Sequence, residues 1–179
     1  MKIQEKKKLF AFYYMLGFFA GILYANFQSK DYITSMGIFN EYFLRQYSVA
    51  DIDTVKYLWY VMKIRLGPVI LLSALGSTRM RKGVVSAFLL WTGFSSGLLL
   101  TSAVMKMGIK GVLLCFIALI PHFVFYVAGY LLLLWYLYSY PEIRWNPSKT
   151  VVFLLSLGLG ILLEAYVNPV IMQMFVRTL

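Results

Sequence analysis

Ionisable residues inside apolar segments are the groups that could do chemistry in this chain. Lys63 and Arg65 fall near the centre of one apolar segment, His122 follows Pro121 in another, and Glu164 lies towards the end of a third. Inside a membrane such a side chain marks an ion path, a proton relay, a ligand site or a structural ion pair, because an uncompensated charge is costly there. These four ionisable residues are the first candidates for function.

The pattern around these residues limits what they can do together. Lys63 and Arg65 are two positions apart, so on a helix they project about 200° from each other and cannot both face one narrow site. Three interpretations stay open for them: snorkelling towards the interface, a water-filled groove, and an ion pair with Glu164. His122 has no carboxylate in its own segment, which favours a neutral structural histidine over a proton relay. Glu164 is expected near the outer interface and partly solvated.

No complete catalytic set can be assembled from the sequence. It contains no HExxH, no Walker A loop and no pair of carboxylates at a spacing suited to hydrolysis. The serines within Gly93-Phe-Ser-Ser-Gly97 lie in an apolar run, and the single histidine of the chain is distant from them in the sequence, so they do not form a catalytic dyad. The single cysteine, Cys115, lies inside an apolar run, which excludes an intrachain disulfide and a cysteine-based metal site. We therefore expect no enzymatic activity, no cofactor and no metal.

The composition is that of a membrane protein. Hydrophobic residues make up 61% of the chain, charged residues only 13%, and the mean hydropathy is +0.75. The net charge of +10 does not indicate nucleic acid, because the basic residues cluster at the ends of apolar runs, where they orient helices. The sequence predicts an all-α polytopic helix bundle, a single membrane domain over residues 1–179. About five transmembrane helices are predicted, and they cover residues 9–27, 54–75, 84–104, 111–140 and 150–167.

The distribution of Lys and Arg predicts the orientation of the bundle. Nine lie in the segments assigned to the cytoplasm (four, three and two) and six in those assigned to the outside (three, two and one). This bias favours N-in/C-out topology and, for a bacterial chain, the cytoplasmic membrane. Membrane lipids are then obligatory partners, and a homo-oligomer is left open.

The outer segment 28–53 is the longest polar stretch. Apolar residues recur there at helical spacing from Ile33 to Tyr47, and Glu41 precedes Arg45 by four residues, which predicts an amphipathic helix at the outer surface. A docking surface that includes Asp51 and Asp53 and a plain connector are both open. The Ser48-x-x-Asp51 spacing suggests a capping box that starts the next helix.

Prolines predict two interruptions. Pro121 cannot donate to the carbonyl of Ile117, which predicts a kink or break in the fourth span, with His122 as the nearby donor for that carbonyl. Asn168-Pro169 is expected to end the fifth span, with an apolar, Met-rich segment of ten residues beyond it on the outside.

Glycine pairs predict close helix contacts. Gly17-Phe-x-x-Gly21 in the first span and Gly93-Phe-x-x-Gly97 in the third have GxxxG spacing, which lets another helix approach closely. We favour two similar packing faces over an internal repeat. Gly108 is expected in a tight outer turn between Lys106 and Lys110.

Four segments, in order along the chain, resemble the stage II sporulation protein M family. They are Gly17 to Asn26, Arg81-Lys-Gly-Val-Val through Gly97, Met107-Gly-Ile-Lys-Gly-Val-Leu-Leu-Cys-Phe-Ile-Ala-Leu-Ile-Pro-His122, and Gly160-Ile-Leu-Leu-Glu-Ala-Tyr-Val-Asn-Pro169. Lys63-x-Arg65 has no place in the family pattern, which suggests a divergent paralogue. The candidate residues within these segments are Gly108, Gly111, Pro121, His122, Glu164, Tyr166 and Pro169.

The resemblance implies a function. Members of that family are integral membrane scaffolds that localise a peptidoglycan-degrading complex to the septal membrane during engulfment of the forespore. The implied partners are extracytoplasmic peptidoglycan hydrolases, a lytic transglycosylase and an amidase-endopeptidase. The alternative is a permease-like membrane subunit of an ABC-type transporter, which would use Lys63, Arg65, His122 and Glu164 as a polar path.

Overall fold

The structure, a computed structural model, describes residues 3–27 and 40–178, and these residues contain helices and turns without any strand. The all-α class predicted from the sequence is confirmed. The helices are α1 (Ile3–Phe27), α2 (Glu41–Val49), α3 (Thr54–Gly76), α4 (Arg81–Met107), α5 (Ile109–Leu119), α6 (His122–Ser139), α7 (Pro147–Leu162) and α8 (Asn168–Val176), with a π-helical turn, Leu163–Val167, joining α7 to α8.

Five helical segments are long and apolar enough to cross a membrane, as predicted. Large apolar side chains cover much of their surface, which is the arrangement expected of helices that face lipid. The chain is therefore a membrane-embedded helical protein. The five segments are Gln4–Phe27, Thr54–Gly76, Arg81–Met107, His122–Ser139 and the continuous Pro147–Val176.

The interruption at Pro121 is present, and the one at Asn168-Pro169 is absent. The predicted span 111–140 is divided into α5 and α6 by a turn at residues 120–121. The predicted end near Val167 is wrong, because helix continues for 30 residues from Pro147 to Val176. The amide of Asn168 donates to the carbonyl of Leu163, an i to i−5 bond that closes the π turn. Pro169 then falls in the first turn of α8, where a missing N–H is tolerated.

The chain divides into two compact units, 1–46 with 86–115 and 47–85 with 116–179. In the first unit α1 and α4 cross through their glycine pairs. A Cβ on Gly17 or Gly21 would overlap the carbonyl oxygen of Leu90 or Phe94, and one on Gly93 would overlap that of Tyr14. Residue numbers rise together across this contact, so the two helices run parallel. The glycine pairs are packing faces, as expected.

The second unit is built from α3, α6, α7, the π turn and α8. Gly160 faces Tyr126 while Gly129 faces Leu157, so α6 and α7 pack antiparallel. A Cβ on Gly76 would lie 2.6 Å from a methyl carbon of Leu137, which places the cytoplasm-assigned ends of α3 and α6 together. The buried apolar and aromatic side chains of this unit include Val61, Val69, Leu72, Val85, Tyr126, Leu133, Leu134, Leu137, Tyr138, Phe153, Leu157, Ile161, Ala165 and Val176.

Helix α2 lies in the segment for which an amphipathic helix was predicted. Leu44 is buried, whereas Tyr42 and Val49 are exposed, so the helix has two distinct faces. Residues 28–39, which carry the first part of that predicted pattern, lie outside the described residues, as does the side chain of Glu41.

Candidate functional site

Arg65 and Glu164 form an ion pair between α3 and the π turn. Arg65 Nε donates to Glu164 Oε2 at 2.8 Å, and a terminal guanidinium nitrogen donates to Oε1 at 2.5 Å. This is the two-point geometry that makes arginine–carboxylate pairs strong and directional. Of the three alternatives for Arg65, the structure contains the ion pair. The Glu164 side chain is 11% exposed, so the predicted partly solvated carboxylate is wrong.

Two tyrosines of α6 complete the pair. Tyr126 donates its hydroxyl hydrogen bond to Glu164 Oε2 at 2.6 Å, and its ring lies under the guanidinium, 4.8 Å from Arg65 Cζ. Tyr130, one turn later, donates to the backbone carbonyl of Arg65 at 3.2 Å. Gly160 makes room for the Tyr126 ring, because a Cβ there would lie 2.7 Å from it. We call Arg65, Tyr126 and Glu164 the charge clamp.

The charge clamp lies deep in the membrane-spanning part of the second unit. Arg65 is about 17 Å along α3 from Thr54, and Glu164 is about 18 Å from Val176, at 1.5 Å per residue. A hydrocarbon layer of about 30 Å places both near its centre. The sequence predicts Glu164 near the interface because it predicts a helix end at Asn168. In the structure the helix continues for another two turns beyond Asn168, so Glu164 lies deeper.

His122 stands beside the charge clamp and is not part of its hydrogen bonding. Its ring meets Tyr126 edge to face at 5.7 Å, and it lies within electrostatic range of Glu164 and Arg65. His122 as a whole residue is 3% exposed, and within the described ranges its Nδ1 has no hydrogen-bond partner. Asn168 Oδ1 is also buried and, among the described residues, also has no hydrogen-bond partner. The donor role expected of His122 towards the Ile117 carbonyl is not seen at Nδ1.

The remaining sequence candidates are not members of the charge clamp. Lys63 is exposed on the side of α3 away from Arg65, as the 200° separation requires. Tyr166 projects from the π turn and is also exposed. Gly108 forms the α4–α5 turn with φ +59°, where a side chain would be strained. Gly111 follows it, and a Cβ there would overlap the carbonyl oxygen of Ala103.

A second ordered feature lies where α3 begins. Gln173 on α8 donates to the carbonyls of Tyr47 at 3.2 Å and Ala50 at 2.8 Å. Arg177 donates through two nitrogens to the carbonyl of Ser48, at 3.0 and 3.2 Å. The backbone of the α2–α3 connection is thereby fixed to the last helix. We call residues 47–53 together with Gln173 and Arg177 the platform.

Asp53, and not the predicted Ser48–Asp51 box, caps α3. Its Oδ1 accepts from the amides of Val55 at 3.1 Å and Lys56 at 3.2 Å, and Oδ2 pairs with Lys56 Nζ at 3.0 Å. Asp51 is exposed on the platform. Of the two aspartates proposed for docking, Asp53 therefore has a structural role as well.

The Asp53 cap predicts a pH dependence of the first turn of α3. The hydrogen bond from the Lys56 side chain, with the backbone amides of Lys56 and Val55, holds the pKa of Asp53 below its usual value. A lowered pKa gives stabilisation that is complete above the ordinary Asp pKa and is lost as pH falls through the lowered value. We expect the exchange protection of the Lys56 amide to fall at acid pH.

Two variants check this in hydrogen-exchange measurements corrected for intrinsic rates. Asp53→Asn keeps an acceptor without a titrating proton, so its protection should not change over that pH range. Asp53→Ala should lack the protection at every pH. Equal acid sensitivity in wild type and Asp53→Asn would contradict the assignment.

The contacts of the charge clamp are those of a structural ion pair that holds helices together. Both oxygens of Glu164 already accept hydrogen bonds, so the carboxylate is not a free base. Among residues 3–27 and 40–178, no three His, Cys, Asp or Glu side chains are grouped to hold a metal ion. The clamp ties α3, α6 and the π turn together at one depth.

Sequence reasoning found the charged members of the clamp and missed the tyrosines. The signal was the spacing His122, Tyr126, Tyr130, which puts three polar-tipped rings on one face of α6. A second signal was Gly160 four residues before Glu164, a small residue beside a buried carboxylate.

No family model, curated protein sequence or solved structure matches this chain.

Proposed function

We propose that the chain is a non-catalytic scaffold of the bacterial cytoplasmic membrane, oriented N-in/C-out. It presents the platform on the outer side and docks extracytoplasmic peptidoglycan hydrolases there. In the setting that the sequence resemblance suggests, these are a lytic transglycosylase and an amidase-endopeptidase at the septal membrane during engulfment.

The platform is the observation that carries this proposal. Gln173 and Arg177 make four side-chain hydrogen bonds to three backbone carbonyls at the end of α2, and these bonds order the connection to α3. Their effect is to hold Val49 and Asp51 exposed on a fixed backbone. A pre-ordered surface loses less conformational entropy when a partner binds. An exposed apolar side chain beside a carboxylate suits a protein surface that carries basic residues.

The charge clamp supports the same proposal from inside the membrane. Its charges are neutralised by direct contacts. Of the three segments that it joins, α3 begins directly after the platform and the π turn leads into α8, which carries Gln173. A rigid support is what a docking surface needs, whereas a transport path needs groups that change partners.

A permease-like subunit is the second candidate, and one observation favours it. Glu164 lies in a π turn, a local distortion that often marks functional sites, and the unpartnered Nδ1 of His122 is close by. If the clamp opened during transport, His122 would be the nearest alternative partner for Glu164. The two candidates differ in where a partner binds, at the platform or at the cytoplasmic loops.

The platform gives the test. Gln173→Ala/Arg177→Ala is expected to lower the recovery of peptidoglycan hydrolases with the tagged chain from native membranes by about tenfold, since the loop would have to be ordered on binding. Arg144→Ala, which removes an arginine from a loop assigned to the cytoplasm, is the matched control and should leave recovery unchanged.

A further variant separates the surface from its support. Asp51→Lys leaves the four hydrogen bonds in place and reverses one exposed charge, so it should also reduce recovery while the unfolding free energy stays at the wild-type value. Undiminished recovery with both the double variant and Asp51→Lys would overturn the platform as the docking surface.

A further inference from the structure

A basic cavity lies at the other end of the second unit, after α3 ends and where α4 begins. Its volume is about 570 Å³. Its lining residues are the cations Arg79, Arg81 and Lys82 together with Met80, Gly83, Leu137 and Tyr140. The wall thus combines cations with apolar and aromatic side chains. In the part of the chain that the structure describes, no acidic side chain lines this cavity.

Aromatic rings hold two of the cations in place. The guanidinium of Arg81 stacks 3.7 Å from the centre of the Tyr140 ring, and its Nε donates to the carbonyl of Thr78 at 3.2 Å. Lys82 Nζ lies 5.8 Å from the centre of the Tyr138 ring. These contacts orient the charges without neutralising them, because a ring face carries only partial negative charge. The terminal nitrogens of Arg81 keep their N–H groups for a ligand, since the described residues supply them with no acceptor.

The depth of the cavity indicates what kind of ligand it fits. It lies at the ends of three spanning helices, just after Gly76 of α3, at the start of α4 and beside the last turn of α6. That is the depth of the lipid head groups. Leu137 continues the cavity wall towards the hydrocarbon, so a phosphate among the cations could have its acyl chains beside the leucine.

We propose that this cavity is a binding site for one anionic phospholipid of the adjacent leaflet. The phosphate accepts hydrogen bonds from Arg81 and Lys82, Arg79 adds a third positive charge, and the glycerol and first acyl carbons lie against Leu137 and Met80. This site does not depend on the proposed scaffold function. Basic pockets between membrane helices on the cytoplasmic side select anionic head groups by this chemistry.

The test uses the full chain in phosphatidylcholine vesicles containing spin-labelled phosphatidylglycerol or spin-labelled phosphatidylcholine. Electron spin resonance gives the relative association constant of each lipid with the protein. For the wild type we expect a preference of about fivefold or more for phosphatidylglycerol, the effect of one or two oriented cations. In Arg81→Gln/Lys82→Gln the preference should fall below about twofold.

The matched control is Arg144→Gln/Lys149→Gln, which removes an arginine from the α6–α7 connection and a lysine from the first turn of α7, at the same end of the second unit. It should keep the wild-type preference, because those cations do not line the cavity. Tyr140→Leu removes the ring under Arg81 without changing the charge and should lower the preference about twofold or more. It serves as the second variant if the double substitution misfolds.

The remaining outcomes overturn the proposal. Equal losses in the cavity variant and the loop variant would mean a diffuse surface-charge effect. Displacement of the labelled lipid by millimolar inorganic phosphate or ATP would mean a site for soluble anions. Wild-type preference in both Arg81→Gln/Lys82→Gln and Tyr140→Leu would mean that the cavity binds no lipid.

Discussion

Glu164→Leu is expected to lower the free energy of unfolding by about 3 kcal/mol or more. The substitution removes the carboxylate that accepts both hydrogen bonds of Arg65 and that of Tyr126, and it leaves a guanidinium near the centre of the membrane without a counter-charge. Breaking one side of a buried ion pair typically costs about 3–5 kcal/mol, and because the Arg65 side chain is 36% exposed we expect a loss at the lower end of that range. Titration with a denaturing detergent in mixed micelles measures the change.

The double variant identifies the cause. Arg65→Leu/Glu164→Leu should recover most of the loss, because replacing both members of a buried pair by apolar residues is often neutral. Lys63→Leu is the matched control two residues away: it removes an exposed cation from the same helix and should leave stability unchanged or raise it. A double variant as unstable as Glu164→Leu would show that the cost comes from packing and not from the unpaired arginine.

Gly93→Ala is expected to destabilise the first unit by about 2 kcal/mol. The added methyl would overlap the carbonyl oxygen of Tyr14, and both helix backbones would have to move apart to relieve the overlap. Forcing an extra methyl into a well-packed contact typically costs about 1–3 kcal/mol. The separation of α1 and α4, measured between spin labels at Phe12 and Trp91, both exposed, should increase as stability falls.

Gly158→Ala adds the same methyl group at a position where it should not lower stability. Gly158 also lies within a membrane-spanning helix, but the described residues leave open space around its Cβ position. Alanine is a better helix former than glycine, so the free energy of unfolding of this variant should exceed that of the wild type by a few tenths of a kcal/mol. Equal effects of the two substitutions would contradict the close α1–α4 crossing.

The spans and the Pro121 interruption were predictable because each depends on local physics. A long uncharged run can satisfy its backbone in lipid only as a helix, and proline removes a donor wherever it stands. The same rule failed at Pro169, since the π turn before it supplies a different hydrogen-bond register. Nothing in the local sequence distinguishes a proline after a π turn from one that ends a helix.

The candidate site was predictable only in part because it joins residues 99 positions apart. Arg65 and Glu164 are easy to identify because a charge inside an apolar segment is unusual, and an ion pair between them was one of three open alternatives. Tyr126 could not be identified in this way, because this chain has 14 tyrosines and most membrane tyrosines face lipid or the interface. Gln173 and Arg177 were missed since the helix that carries them was expected to have ended.

Photo-cross-linking in native membranes tests the scaffold account most directly. A benzophenone amino acid at Val49, 79% exposed on the platform, is compared with one at Met80, 74% exposed at the opposite end of the second unit. The account predicts adducts of peptidoglycan hydrolases from Val49 and none of them from Met80. Adducts of an ATP-binding subunit from Met80, with no hydrolase captured at Val49, would contradict it and assign the chain to transport.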